Sequence, residues 1–136
     1  FLGICVGMQL MMARGEEFGT HQGLGLLSGS VQAISATKIS GEPHKVPHIG
    51  WSPLARPEGA NWSNSIFADL NEGDELYFVH SFAVVPDNTE IVLATTDHNG
   101  NKITAAVRRN NAYGCQFHPE KSGAVGLRII NCFANS

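Results

Sequence analysis

Gly3-Ile4-Cys5-Val6-Gly7 is the stretch from which the rest of the chain can be read. A short apolar run, Phe1-Leu2, precedes it, and the good helix formers Met8 to Arg14 follow. This order predicts strand, tight turn, helix. Glycines flanking the centre of such a turn avoid a Cβ clash. The turn would push the Cys5 side chain out of the backbone, as a nucleophile elbow does for serine. A thiol at a helix N-terminus is expected to be drawn toward thiolate by backbone N–H groups and the helix dipole. On its own the motif also fits a small buried cysteine in a glycine-rich turn.

A second stretch near the other end favours the reactive reading: Tyr113-Gly114-Cys115-Gln116-Phe117-His118-Pro119-Glu120-Lys121-Ser122. In an extended chain, residues i and i+2 point to the same side roughly 6.6 Å apart. Glu120 is then within reach of one imidazole nitrogen of His118 while the other faces a thiol. An activated cysteine needs such a base, oriented by a third group. Gln9 falls one helical turn after Cys5. The Val6 N–H follows the nucleophile directly, where an oxyanion donor belongs. His80-Ser81-Phe82 ends a strand-like run, a place where open α/β sheets put ligand contacts.

Composition bounds the alternatives. A chain of 136 residues is one domain at most, and its 43% hydrophobic content suits a globular core. The net charge is −3 and the nine basic residues are dispersed, so no basic stripe points to nucleic acid. No apolar run approaches a membrane span, and the opening residues do not read as a signal peptide. Three widely spaced cysteines fit neither a disulfide framework nor zinc spacing. A free nucleophilic thiol suits a reducing cytoplasm. The chain enters a strand at once and does not begin with Met, so further N-terminal strands of the domain are expected ahead of Phe1.

Between the two stretches, Gly23 to Gly29 reads as a structural loop packing Leu24, Leu26 and Leu27. It lacks the Gly-Lys-Ser/Thr ending of a phosphate loop. Ser30 to Ile39 reads as a strand, and Pro47 and Gly50 mark a turn. From the residues alone, His48 and Trp51 read as core. Ser52 to Ser65 reads as loop, and Ser65 to Leu70 as a short helical turn. Leu76 to Val85 reads as one strand and Ile91 to Thr96 as the next, with Asp97 to Asn101 a hairpin turn before Ile103 to Val107. Tyr113 to Phe117 is a strand. Ser122 is placed to N-cap a last helix carrying Val125, Ile129, Ile130 and Phe133 on one face. Cys115 and Cys132 read as buried and inert. His21, His44 and His98 fall in polar loops without a role.

With these motifs the sequence resembles the class I (triad) glutamine amidotransferases, and within them the glutaminase subunits of imidazole glycerol phosphate synthase. The resemblance also rests on Gly23-Leu24-Gly25-Leu26, Lys45-Val46-Pro47-His48-Ile49-Gly50-Trp51 and Tyr77-Phe78-Val79-His80-Ser81. It implies an α/β fold, an open mixed sheet flanked by helices with a β-rich C-terminal half. It implies Cys5 as nucleophile, His118 as base and Glu120 as its orienting carboxylate. It implies that Gln9, Val6, Ser81 and Phe82 contact the glutamine substrate, with no cofactor and no metal. It further implies a heterodimer in which a (β/α)8-barrel cyclase faces Pro47, His48, Ile49, Gly50 and Trp51 and receives the ammonia. Trp51 would then belong to a surface rather than the core. The family more often has Asn where Ser52 stands, and its N-terminal Pro-Gly-x-Gly loop, which lends a second oxyanion donor, is absent from this sequence. Relatives that amidate surface sugars share many of the motifs, so such an acceptor is the alternative.

Overall fold

The computed structural model describes residues 1–136. Ten strands and two α-helices alternate in the order β1 (Leu2–Ile4), α1 (Val6–Leu10), β2 (Met12–Gly15), β3 (His21–Gln22), β4 (Leu27–Ala33), β5 (His48–Pro53), β6 (Glu75–His80), β7 (Phe82–Pro86), β8 (Val92–His98), β9 (Asn101–Arg109), β10 (Ala112–Cys115) and α2 (Gly123–Ala134). The α/β class with mixed pairing is as the sequence implies. The strands divide among three sheets, ordered β1-β10-β9-β8, β3-β2-β4-β7 and β5-β6. β1 runs parallel to β10, and β2 parallel to β4.

Several local expectations change. The first helix stops at Leu10, because Met11 and Met12 are fully buried and Met12 opens β2, which pairs with β4. Tertiary pairing there outweighs the helix propensity of Met12, Ala13 and Arg14. Among the three leucines of the glycine-rich loop only Leu27 is buried, and it begins β4; Leu24 and Leu26 are exposed. β4 ends at Ala33, short of the expected strand, and Ile39 lies in solvent. The expected turn at Gly50 is instead the middle of β5, where Gly50 takes a positive φ of 128° while paired with Phe78. The expected strand from Leu76 to Val85 breaks at Ser81, and its halves join different sheets. Ser65–Leu70 forms successive i→i+3 turns, as expected.

Two clusters make most of the core. The larger gathers Leu54, Trp62, Phe67, Phe78, Phe117 and Ile129 with their neighbours, and the Trp62 indole donates to the Leu93 carbonyl at 2.7 Å. The second places Met8, Met11 and Met12 against Leu27, Val31, Val84 and Val107. Each large apolar side chain buried here contributes about 1.5–3 kcal/mol. α2 carries the expected face: Ile129 is fully buried, and Val125 and Phe133 pack against the larger cluster. No helix is long and apolar enough to cross a membrane.

Candidate active site

Parallel pairing of β1 with β10 carries both ends of the site to one sheet edge. Ile4 sits opposite Cys115, and the Cys5 N–H donates to the Cys115 carbonyl at 2.7 Å. The chain then turns sharply at Cys5, with φ 51° and ψ −109°, into α1. That left-handed conformation is uncommon for a residue with a side chain and marks a constrained elbow. Gly3 is needed for space, since a Cβ there would lie 2.7 Å from the Gly7 carbonyl. Gly7 is not, because nothing lies within 4 Å of the Cβ it lacks. Gly114 beneath α1 is the glycine the sequence reading missed: a Cβ there would meet Met8 Cγ at 2.7 Å.

The half-buried thiol is pushed up from its ordinary pKa of 9.0, first by burial and also by the Glu120 carboxylate. The Val6 N–H, the Gln116 amide and Lys121 pull the other way and do not prevail. The expected bias to thiolate is therefore reversed, because desolvation outweighs the five-residue helix. A resting thiol needs a base. His118 donates from Nδ1 to Glu120 Oε1 at 2.6 Å, which leaves Nε2 free of the carboxylate. The pair is joined not along an extended strand but across the entry to a single 3-10 turn, Pro119–Lys121.

Ser122 holds this turn. It precedes α2 as expected, yet its hydroxyl makes no helix cap. It donates instead to the His118 carbonyl at 2.6 Å and accepts from the Tyr77 N–H at 2.9 Å. The His118 N–H donates to the Tyr77 carbonyl at 2.9 Å. The serine is buried and binds the His118 turn to β6, a role that no sequence pattern signals.

Gln9 is drawn into the same region. Its amide donates to the Phe82 carbonyl at 3.1 Å and to Gln116 Oε1 at 3.2 Å, and Gln116 Nε2 reaches Cys5 Sγ at 3.8 Å. Ser81 sits at the β6–β7 corner, where its carbonyl accepts from Ile34 N–H at 2.9 Å. A cavity of about 370 Å³ opens beside the elbow, lined by Val6, Gln9, Glu17, Phe18, His21 and Val31 among others. Glu17 and His21 carry no recognisable spacing in a polar, glycine-rich stretch of the sequence, and His21 opens β3.

The segment from Pro47 to Trp51 is mixed. Ile49 and Trp51 point to solvent, while His48 is buried against Phe78 and His80. Strand alternation separates them, so His48 is a core residue rather than part of a facing surface. His98, at the end of β8, stacks on His48 with centroids 4.3 Å apart, and His44 meets His98 edge-on at 4.9 Å. Cys115 is fully buried and its thiol is pushed far up by desolvation. Cys132 is only partly buried, with its Sγ 3.3 Å from Asp69 Oδ2.

Comparison with known proteins shows the family. The family of class I glutamine amidotransferases matches residues 1–134. Imidazole glycerol phosphate synthase subunit HisH 1 of Legionella pneumophila (strain Lens) is 48% identical over 134 residues, covering 98% of this chain and 63% of the relative. The HisH subunit of Geobacillus thermodenitrificans (strain NG80-2) is 47% identical over 130 residues, covering 96% of this chain and 58% of the relative. The chain thus spans somewhat under two thirds of these curated relatives. A glutamine amidotransferase structure from Thermotoga maritima superposes with a TM-score of 0.60 at 18% identity, over 99% of this chain and 46% of that one. The chain belongs to the class I glutamine amidotransferases.

Proposed function

We propose that this chain carries the nucleophile and base of a glutaminase that feeds ammonia to an imidazole glycerol phosphate synthase. The observation that supports it best is the strained Cys5 elbow, bonded through its N–H to the Cys115 carbonyl, whose thiol feels the charge of the Glu120 carboxylate that engages His118. The 48% identity to a HisH subunit favours the histidine-pathway acceptor over a surface sugar.

In this reading glutamine lies in the cavity beside Val6, with Glu17 near its ammonium group. His118 Nε2 takes the Cys5 proton as sulfur attacks the side-chain carboxamide carbon, forming the C–S bond. The Val6 N–H donates to the oxygen that gains the negative charge. The oxyanion collapses, the C–N bond breaks, and His118 returns the proton to the leaving nitrogen, which departs as ammonia. Water then loses a proton to His118 and attacks the thioester. Cleavage of the C–S bond releases glutamate, and the proton returns to sulfur. Glu120 keeps the imidazole in its Nδ1–H form and offsets the positive charge during each transfer. Burial pushes the Cys5 thiol up, which fits a mechanism in which the proton leaves as the sulfur attacks. A cyclase barrel seated on the exposed Ile49 and Trp51 of β5, beside Pro47 and Gly50, would collect the ammonia before it meets water and protonates.

Glutamate release from glutamine by the intact protein tests this, with and without a cyclase barrel and its ribotide ligand, beside Cys5→Ala. Activity that rises with the barrel and vanishes in Cys5→Ala is expected. Cys5-dependent activity indifferent to the barrel moves the acceptor elsewhere. Activity surviving Cys5→Ala removes the mechanism.

A further inference from the structure

Inward from β5 runs a row of hydrogen bonds that the reaction steps above do not use. His80 Nδ1 lies 2.8 Å from the Phe82 carbonyl, which only accepts, so that nitrogen carries the hydrogen. Neutral His80 then presents a bare Nε2, and His48 Nδ1 donates to it at 2.9 Å. His48 Nε2 is bare in turn and accepts from the Ser52 hydroxyl at 2.8 Å. Both imidazoles are buried, and both are held to a pKa of about 4, chiefly by desolvation, so the neutral forms persist at physiological pH. The Phe82 carbonyl is the meeting point, because it also accepts from Gln9, whose amide fixes Gln116 toward Cys5.

Two features set this row apart from an ordinary buried polar pair. The His80–Phe82 bond spans Ser81, where the chain leaves the β5-β6 sheet for the β3-β2-β4-β7 sheet, so it sets the corner angle and the aim of the carbonyl. Its outer end, Ser52, sits on the same strand as the exposed Ile49 and Trp51. The histidines do not form a group able to hold a metal ion.

We propose that His48 and His80 are positioning residues that aim the Phe82 carbonyl, and through it Gln9 and Gln116, at the glutamine site, with Ser52 tying that row to the exposed strand β5. The functional part of this rests on the glutaminase reading.

The test compares Ser52→Ala, Ser52→Thr and His48→Phe in the intact protein with wild type. His48→Phe keeps a ring against Phe78 and loses both hydrogen bonds. Its glutamine KM is expected to rise about tenfold with kcat per folded molecule within about twofold, since a lost buried hydrogen bond is worth up to that ratio. Ser52→Ala raises KM about threefold on the same basis, and Ser52→Thr, which keeps the hydroxyl, restores it. Unchanged KM in Ser52→Ala and His48→Phe with only a lowered melting temperature overturns the proposal. So does Ser52→Thr behaving like Ser52→Ala. Imidazole nitrogen NMR supplies a readout independent of turnover. Both histidines are expected to show a protonated Nδ1 and a bare Nε2, and Ser52→Ala to shift the side-chain amides of Gln9 and Gln116. A protonated Nε2 on His80, or amides that do not move, overturns the row. If wild type releases no Cys5-dependent glutamate, the glutaminase reading fails, and the spectra alone then decide whether the row stands.

Discussion

His48, on β5 opposite His80, and His118, whose N–H donates to the Tyr77 carbonyl of β6, put the same ring to different work. His118 gives Nδ1 to a carboxylate and keeps Nε2 unengaged by it. His48 has both nitrogens engaged by neutral partners, His80 and Ser52, and stacks between Phe78 and His98. The carboxylate fixes the Nδ1–H tautomer of His118, whereas burial among neutral groups opposes protonation of His48. The first environment suits a ring that accepts and returns a proton within a turnover. The second suits one that holds a fixed tautomer. On the proposed roles, what separates a base from a brace is the company of the ring rather than its identity.

The widest gap should open when each ring is removed. His118→Ala is expected to lower kcat for glutamate release about 10³- to 10⁴-fold, near the top of what general acid–base catalysis supplies. The His48→Phe change described above stays within about twofold in kcat. Stopped assays at saturating glutamine on both variants make the comparison, and equal losses would abolish it. Ser122→Ala comes next. It strips one bond from the His118 carbonyl, which keeps the Lys121 N–H, and takes the hydroxyl acceptor from the Tyr77 N–H, at a cost of about 1–3 kcal/mol. Urea denaturation should show that loss, together with a fall in kcat as the base-bearing turn loosens. A wild-type denaturation curve would mean that another group holds the turn.

The last contrast lies in pH. In the unfolded chain His48 and His80 bind protons below about 6.5, whereas in the fold both resist until about 4. Unfolding therefore takes up protons between those values, and stability should fall as pH is lowered from about 6.5 toward 4. The groups packed around this pair are Phe78, Ser52, His98 and the Phe82 carbonyl, none a carboxylate. Melting temperatures across that range should drop less steeply in His48→Phe than in wild type. Parallel slopes would show that the pair does not carry the dependence.

Much of the site was legible because its chemistry is compressed into short runs. Gly3 to Gly7 and Gln116 to Ser122 each hold their own turn, and local sterics and hydrogen bonds can be read there. What was hidden depends on contacts between distant segments. The end of α1 at Leu10 follows from β2 pairing with β4, which no local propensity reports. The break at Ser81 follows from two sheets competing for one run of apolar residues. Ser122 looked like a helix cap because serine before a helix usually is one, and the Tyr77 N–H that engages it is 45 residues away. His48 and Trp51 resembled each other in sequence, yet strand alternation sends one inward and the other to solvent. The reversal of the thiol's expected bias came from burial, which a sequence does not display.

The pairing of β1 with β10 has a consequence in time. Cys5 and the Gln116 amide that touches it are 111 residues apart along the chain. A closure of that span is among the slowest kinds of contact to form. Until it forms, neither the elbow nor the His118 turn has its counterpart. During synthesis Cys5 therefore leaves the ribosome long before Gln116 and His118. On the glutaminase reading proposed here, the chain acquires its reactivity late in folding, so an unfinished molecule is an unarmed one.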